Sequence, residues 1–366
     1  MTRAALTLLL CGLLTSLAGC SAPAARPAAP APTTQAAPPS SSGAASPAPA
    51  APATAAPPSP PPLESLKMGL PAMTATFAPM FIAAEKGYFA EEGLAVELVT
   101  ASANVSIASL LTGEMQFSGS GASAVSAALK GADLKVVYTS ADRPLSELWS
   151  AAPEIRTLEN LPGKAVGVQS RGDSTELALR IALLGHGIDP GALTYIAVGV
   201  GPQRLAAIQA GSVAAAALLT TEVAEVRDAV PGAHRVANLR DEARMVYGGV
   251  ATHARELQEH RERTRRFLRA VMKSREYYKA FRDETVQILM KYSQSPLAAN
   301  EASYDETLWT MDGDASVPVE VQRRDTAARA QLNGLDDYPP AEQIYDYSLV
   351  QQVYRELQAS GWQPAR

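Results

Sequence analysis

The chain has 366 residues, 32 of them basic and 37 acidic, for a formal net charge of −5. That balance lacks the basic footprint that nucleic-acid binding demands, so no nucleic-acid partner is expected. Its two cysteines, Cys11 and Cys20, both stand near the N-terminus, which excludes disulfides, thiol catalysis and cysteine metal sites from everything beyond residue 20.

Arg3 is the only charge before Cys20, Leu6 to Leu14 is almost wholly apolar, and Leu17-Ala18-Gly19 leads into Cys20. This pattern reads as a secretory signal over residues 1–19, too short to act as a stop-transfer helix. Small residues directly before a cysteine resemble the bacterial lipoprotein signal. That resemblance implies lipidation of Cys20, an extracytoplasmic location and a membrane anchor. From Ser21 to Pro62 nearly every residue is Ala, Pro, Ser or Thr, with Arg26 the only charge. Such a stretch has little apolar bulk to offset the entropy of ordering, so residues 20–62 are expected to be a disordered tether stiffened by proline.

The rest is large enough for two lobes with real cores. Leu66 to Leu70 reads as a strand ended by Pro71, and Pro79 to Gly87 as a helix with Pro near its start and Gly at its end. Val96–Val99, Gln116–Ser118 and Leu134–Thr139 read as further strands, with helices over Ser106–Leu111 and Ser123–Lys130 between them. The alternation restarts with strands at Lys164–Gln169, Leu193–Val198 and Ala214–Leu219. Helices at Ser174–His186, Gln203–Ala210 and from Thr220 separate and follow these strands. Strand–helix alternation of this kind predicts α/β lobes with doubly wound, parallel sheets. Leu145–Ala152 and Met245–Ala251 look like extended segments crossing between the lobes. From His253 the pattern is helical to the end, and this tail is expected to return to the first lobe. The lobes are thus placed at 63–148 with 250–366, and at 149–249.

Ala84-Glu85-Lys86-Gly87-Tyr88-Phe89-Ala90-Glu91-Glu92-Gly93-Leu94, followed by Val96-Glu97-Leu98, resembles the opening of ABC-importer solute-binding proteins of the NMT1/THI5-like group. That group includes binders of nitrate, alkanesulfonates, taurine and thiamine precursors. Gly131 to Val137, Leu161 to Val168 and Arg204 to Gly211 extend the likeness in family order. The resemblance implies a type II periplasmic-binding-protein fold, two lobes on a two-strand hinge, and closure on one small molecule. It also implies an ABC permease as membrane partner and a monomeric chain. The pyrimidine-synthesising members of the group use a histidine and a cysteine-rich segment, and this chain has no cysteine after residue 20.

Ligands of open α/β sheets bind beyond the carboxyl ends of strands, where helix N-termini favour anions. Five loops fit that description. The first lobe offers Thr74, Thr76 and Phe77, then Gly119, Ser120 and Gly121, then Ser140 with Asp142. The second offers Arg171, Gly172, Asp173 and Ser174, then Thr220 and Thr221. Glycines there would let backbone approach a ligand, hydroxyls would supply donors, and Arg171 could pair with a carboxylate or sulfonate. Each hydroxyl could equally be a helix cap. Tyr247, Phe77 and Trp149 could wall a ligand or simply pack in the core.

Gly119-x-Gly121-x-x-Ala124 has the spacing of a dinucleotide fingerprint, but it follows the third strand rather than the first. No cofactor is expected. His253 and His260 are read on one helix, two turns apart, too far for one metal ion. Arg261, Arg263, Arg265, Arg266 and Arg269 interleave with Glu256, Glu259 and Glu262, which reads as a solvated helix face. No G-x-S-x-G elbow or acid–base pair with catalytic spacing occurs. The expected function is capture of a small organic anion or related polar solute. A lyase-type enzyme and a sensory receptor on the same scaffold are the alternatives.

Overall fold

Caps and glycines placed the elements well. The structure, a computed structural model, describes residues 62–199 and 201–365, the side chain of Thr221 excepted. The signal, Cys20 and nearly all of the tether lie outside the described residues.

The first lobe runs β1 (Glu64–Leu70), α1 (Ala78–Glu85), α2 (Tyr88–Glu91), β2 (Leu94–Thr100), α3 (Ala103–Thr112), β3 (Phe117–Ser118), α4 (Gly121–Leu129) and β4 (Leu134–Ala141). The second holds β5 (Ser146–Ser150), β6 (Ala165–Val168), α5 (Ser174–Gly185), β7 (Thr194–Ala197), α6 (Pro202–Gln209), β8 (Ala215–Leu219), α7 (Val223–Ala229), β9 (His234–Ala237) and α8 (Leu239–Glu242). Then follow β10 (Gly248–His253), α9 (Ala254–Glu259), α10 (Arg261–Ala280), α11 (Arg282–Ser293), α12 (Leu297–Thr307), α13 (Val319–Leu332) and α14 (Ser348–Ser360).

Two five-stranded sheets result, ordered β2-β1-β3-β10-β4 and β7-β6-β8-β5-β9. β1 pairs in parallel with β2 and β3, and β6 with β7 and β8. Neither sheet is purely parallel, however. β10 runs antiparallel to β3 and β4, and β5 to β8 and β9. Both odd strands belong to the chain's passages between lobes, where no helix intervenes to turn it into a parallel crossover. The passages pair with each other: the Met245 amide donates to the Asp142 carbonyl (2.9 Å) and the Tyr247 amide to that of Ala141 (3.0 Å). The crossing itself is short and begins before residue 149, because Ser146 already pairs with Leu219 in the second sheet.

Aromatic side chains hold the first core together. Phe267 of α10 stacks on Phe117 of β3 with centroids 4.0 Å apart, and on Phe89 at 5.5 Å. Fully burying each such ring contributes roughly 1.5–3 kcal/mol. Of the C-terminal helices, α10 and α11 pack on α1, and α14 packs on α10. α13 is different: it packs against both α4 and α5, and Ala328 sits in the core of the second lobe.

Two readings of the helical tail need correction. The arginines of α10 are not a solvated face. Arg263 and Arg266 hold Glu64 at the start of β1 (3.0 and 2.5 Å), while Arg265 and Arg269 hold Glu356 of α14 (2.8 and 3.2 Å). Arg263 and Arg265 also pair locally with Glu256 and Glu262, but Glu64 and Glu356 come from distant sequence, so only folding makes α10 a clamp between β1 and α14. His253 and His260 do not share a helix, since each is an N-cap, of α9 and α10 respectively.

Candidate functional site

A cavity of about 630 Å³ opens between the lobes, a size suited to a small organic ligand. Its first-lobe wall comes from Ile107 and Leu111 of α3 with Ala122, Ser123 and Ser126 of α4. Its second-lobe wall is the start of α5, with Asp173, Ser174 and Leu177, and Met245 and Tyr247 of the hinge close the back. The first turns of α4 and α5 thus flank one space. Asp173 already accepts from the first amides of α5, so the uncapped positive end facing this space is that of α4, which favours an anionic or strongly polar group.

Local sequence explains how α5 starts there. Gly172 adopts φ +83°, a left-handed turn that suits glycine. Asp173 then caps the helix, its Oδ1 accepting from the amides of Thr175 (3.2 Å) and Glu176 (3.1 Å). Ser174 lies beside the Tyr247 phenol, which burial pushes above its ordinary pKa while the hydrogen bond from Ser174 opposes that rise. Tyr247 therefore stands neutral at physiological pH, as a donor and a flat wall.

The fourteen expected contact residues do not converge on this one space. Gly172, Asp173, Ser174 and Tyr247 line the cavity. Ser120 bridges to Gly249 of β10, and Thr76, on the turn before α1, lies against Gly248; neither lines the cavity. Ser140 instead lines a separate cavity of about 270 Å³ behind the hinge. Thr74 is exposed on the turn before α1 and makes no side-chain cap. Phe77 belongs to the first core, with a ring carbon 2.8 Å from where a Gly119 Cβ would sit. Trp149 packs in the second lobe, its indole donating to Glu147 (2.7 Å). The glycine at 121 serves internal packing, because a Cβ there would meet the Gly249 backbone at 2.8 Å.

Arg171 is already engaged. Its Nε donates to Glu176 (2.9 Å) and its Nη1 to the Tyr195 carbonyl (3.1 Å). Glu176, fully buried, takes further donors from Gly172 and Arg180, and these partners outweigh the cost of burial and keep its carboxyl below the usual range. Thr220 donates to Glu306 of α12 (2.7 Å), a bond from the second lobe to the helix covering the first. Only the backbone of Thr221 is described.

Most of the lining was not among the proposed contacts, Asn104, Lys130 and Arg329 included. Arg329 of α13 is almost buried, its Nε on both oxygens of Asp325 (3.0 Å each), with Nη1 on the Ala122 carbonyl (3.0 Å) and Nη2 on that of Val246 (2.8 Å). It lines the cavity and ties the first turn of α4 to the hinge. The Asp325–Arg329 spacing of four was the legible signal, but such pairs usually lie at the surface. Among the described residues no cluster of three or more His, Cys, Asp or Glu could hold a metal ion, and no helix is long and apolar enough to cross a membrane.

Comparison with solved structures shows the same architecture. The periplasmic sulfonate-binding protein SsuA from Methylobacillus flagellatus has 18% identity and a TM-score of 0.63, covering 83% of this chain and 98% of that one. The periplasmic aliphatic sulphonate-binding protein SsuA from Escherichia coli has 17% identity and a TM-score of 0.59, covering 78% and 99%. The periplasmic nitrate-binding protein NrtA from Synechocystis has 16% identity and a TM-score of 0.55, covering 81% and 90%. At such identities the likeness establishes the fold, that of periplasmic binding proteins. No curated protein matches the chain. The NMT1/THI5-like family model matches residues 74–284, and the chain belongs to that family.

Proposed function

We propose that this protein is the solute-binding component of an ABC importer, working outside the cytoplasm. It captures a small organic anion or related polar solute between its lobes. The observation that carries this reading is the cavity flanked by the first turns of α4 and α5, with Tyr247 behind it and Arg329 beside it. Two of the five guanidinium donors of Arg329 are not spent on Asp325, Ala122 or Val246. With the dipole of α4 they form a polar end, apart from the apolar side chains of Ile107 and Leu111. Family membership and the solutes named for the structural neighbours support the same class.

The reading includes anchoring through lipid on Cys20, with residues 20–62 as a spacer to the membrane. The lobes expected at 63–148 with 250–366 and at 149–249 are assigned with their boundaries moved to where β5 and β10 begin, at 146 and 248, and α13 packs on both. Closure about the hinge would bury the solute, and a permease would sense the closed form.

Isothermal titration of sulfonates, carboxylates, nitrate and pyrimidines into the full chain tests the reading. Saturable binding of one class, weakened roughly tenfold or more by Tyr247→Ala, is expected. Absence of any binder across that panel would contradict it. Conversion of Cys20 to Ala should release the protein from the membrane fraction, and its retention there would contradict the anchor.

A further inference from the structure

Arg275 of α10 is fully buried, yet it makes no ion pair among the described residues. Its Nη2 donates to the carbonyls of Thr310 (3.0 Å) and Asp312 (2.7 Å), and its Nη1 approaches the Met272 sulfur (3.7 Å). Its Nε meets no acceptor at hydrogen-bond geometry, and the guanidinium lies 5.7 Å over the ring of Tyr138, a neutral neighbour. A guanidinium stays charged at any physiological pH, and a buried charge without a counter-charge is costly. The other fully buried arginine, Arg204, is paired with Glu222 at 2.8 Å.

Arg275 lines the cavity of about 270 Å³ behind the hinge, which shares no lining residue with the cavity between the lobes. Three further unpartnered polar atoms belong to residues on the same wall: Ser140 Oγ, Trp309 Nε1 and Arg143 Nε. Arg143 Nε stands 3.6 Å from Asp142 Oδ1, near enough for attraction but too long for a hydrogen bond. All four groups can donate. Four of the eleven such buried atoms among the described residues therefore belong to residues that line one small space, and each lacks a partner.

The acidic residues nearby are largely spoken for. Asp142 accepts from Arg244 (2.9 Å), and Asp314 accepts from the Ser316 amide (3.0 Å) and hydroxyl (2.6 Å). Asp312 is exposed at the rim and uses its backbone carbonyl, not its carboxylate, on Arg275. Arg240 adds a further cation, 4.5 Å over the Trp309 ring.

From this we infer a second ligand site, beside the hinge, for a small oxyanion such as a carboxylate, sulfate or phosphate group. The anion would take donors from Trp309, Ser140 and Arg143 and supply the counter-charge that Arg275 lacks. Arg143 lies on the passage between lobes, while Arg275 and Trp309 belong to elements of the first lobe. An occupant would thus join the hinge to the C-terminal helices.

The three tryptophans give three indole N–H resonances, so the site can be watched directly by NMR. Sulfate, phosphate and malonate are titrated separately into the full chain, with Trp309→Phe used to assign its indole peak. At least one of the three should shift the Trp309 resonance saturably, and Arg143→Gln should weaken that affinity roughly tenfold or more. Tyr247→Ala, in the other cavity, should leave it within about twofold, which separates failure of this site from failure of the solute cleft. The inference is overturned if none of the probes moves the Trp309 peak at millimolar concentration. An affinity unchanged in folded Arg143→Gln, or lost equally in Tyr247→Ala, overturns it too.

Discussion

Gly121 sets how closely α4 approaches β10. A methyl group there would press on backbone atoms of Gly249, which cannot rotate away as a side chain could. Gly121→Ala should lower stability by about 1–3 kcal/mol in urea unfolding, whereas an unchanged midpoint would mean that the two elements can part at no cost. Arg329 and Asp325 form a pair whose partners are both buried, with the Tyr345 hydroxyl also donating to Asp325 (2.6 Å). Arg329→Met strands a buried carboxylate and should cost roughly 3–5 kcal/mol, and Asp325→Asn in the same chain should recover much of the loss. At this scale the sequence was a poor guide to the cleft. It marked Asp173, Ser174 and Tyr247, because caps and aromatic hinge residues have local signatures. It could not tell that Arg171 is held by Glu176, that Phe77 faces inward, or that Arg329 arrives from α13, 83 residues beyond the Val246 that it bonds. Those depend on which faces meet after folding.

Among elements, the well-capped ones were legible. α3, however, was read as Ser106–Leu111, inside its true span of Ala103–Thr112, because its caps at Ser102 and Gly113 were not used. β9 and α8, four residues each and without an apolar run, left no pattern to read. α8 nevertheless has a defined tie: His186, just after α5, lies 3.0 Å from Glu242 of α8 and 3.0 Å from Glu159. Hydrogen bonds to Glu242 and Glu159 raise the His186 pKa above its ordinary value. Glu159 is pulled down to about 2, chiefly by the Thr157 hydroxyl, then by its own amide and His186. The sign follows from linkage. His186 favours folding below its unfolded pKa of about 6.5, and that contribution fades as pH rises through the raised folded value. Glu159 contributes above the ordinary carboxyl range and loses its effect as pH falls toward about 2. Thermal unfolding should therefore show His186→Gln less stable than the parent near pH 6 and the gap narrowing in more alkaline buffer. A gap that widened with pH would contradict the pairing.

At the scale of the whole molecule, the strand–helix order was enough to anticipate two lobes, and the antiparallel β5 and β10 mark where the chain passes between them. What order could not reveal is how the C-terminal helices engage both halves. α13 packs on α4 and α5, and Glu306 of α12 accepts from Thr220 across the cleft. That single bond is worth about 1 kcal/mol, so Thr220→Val should raise the open population roughly fivefold. Solution scattering would register this as a larger radius of gyration, and an unchanged radius would show that the bond does not bias closure. The central claim is that the lobes close on a small polar solute. It is tested most directly by mass spectrometry of small molecules released from natively purified full-length protein, with solution scattering before and after stripping. The account predicts a stoichiometric anionic or strongly polar compound whose re-addition compacts the protein; a protein that carries nothing and keeps the same dimensions with every member of the solute panel would contradict it.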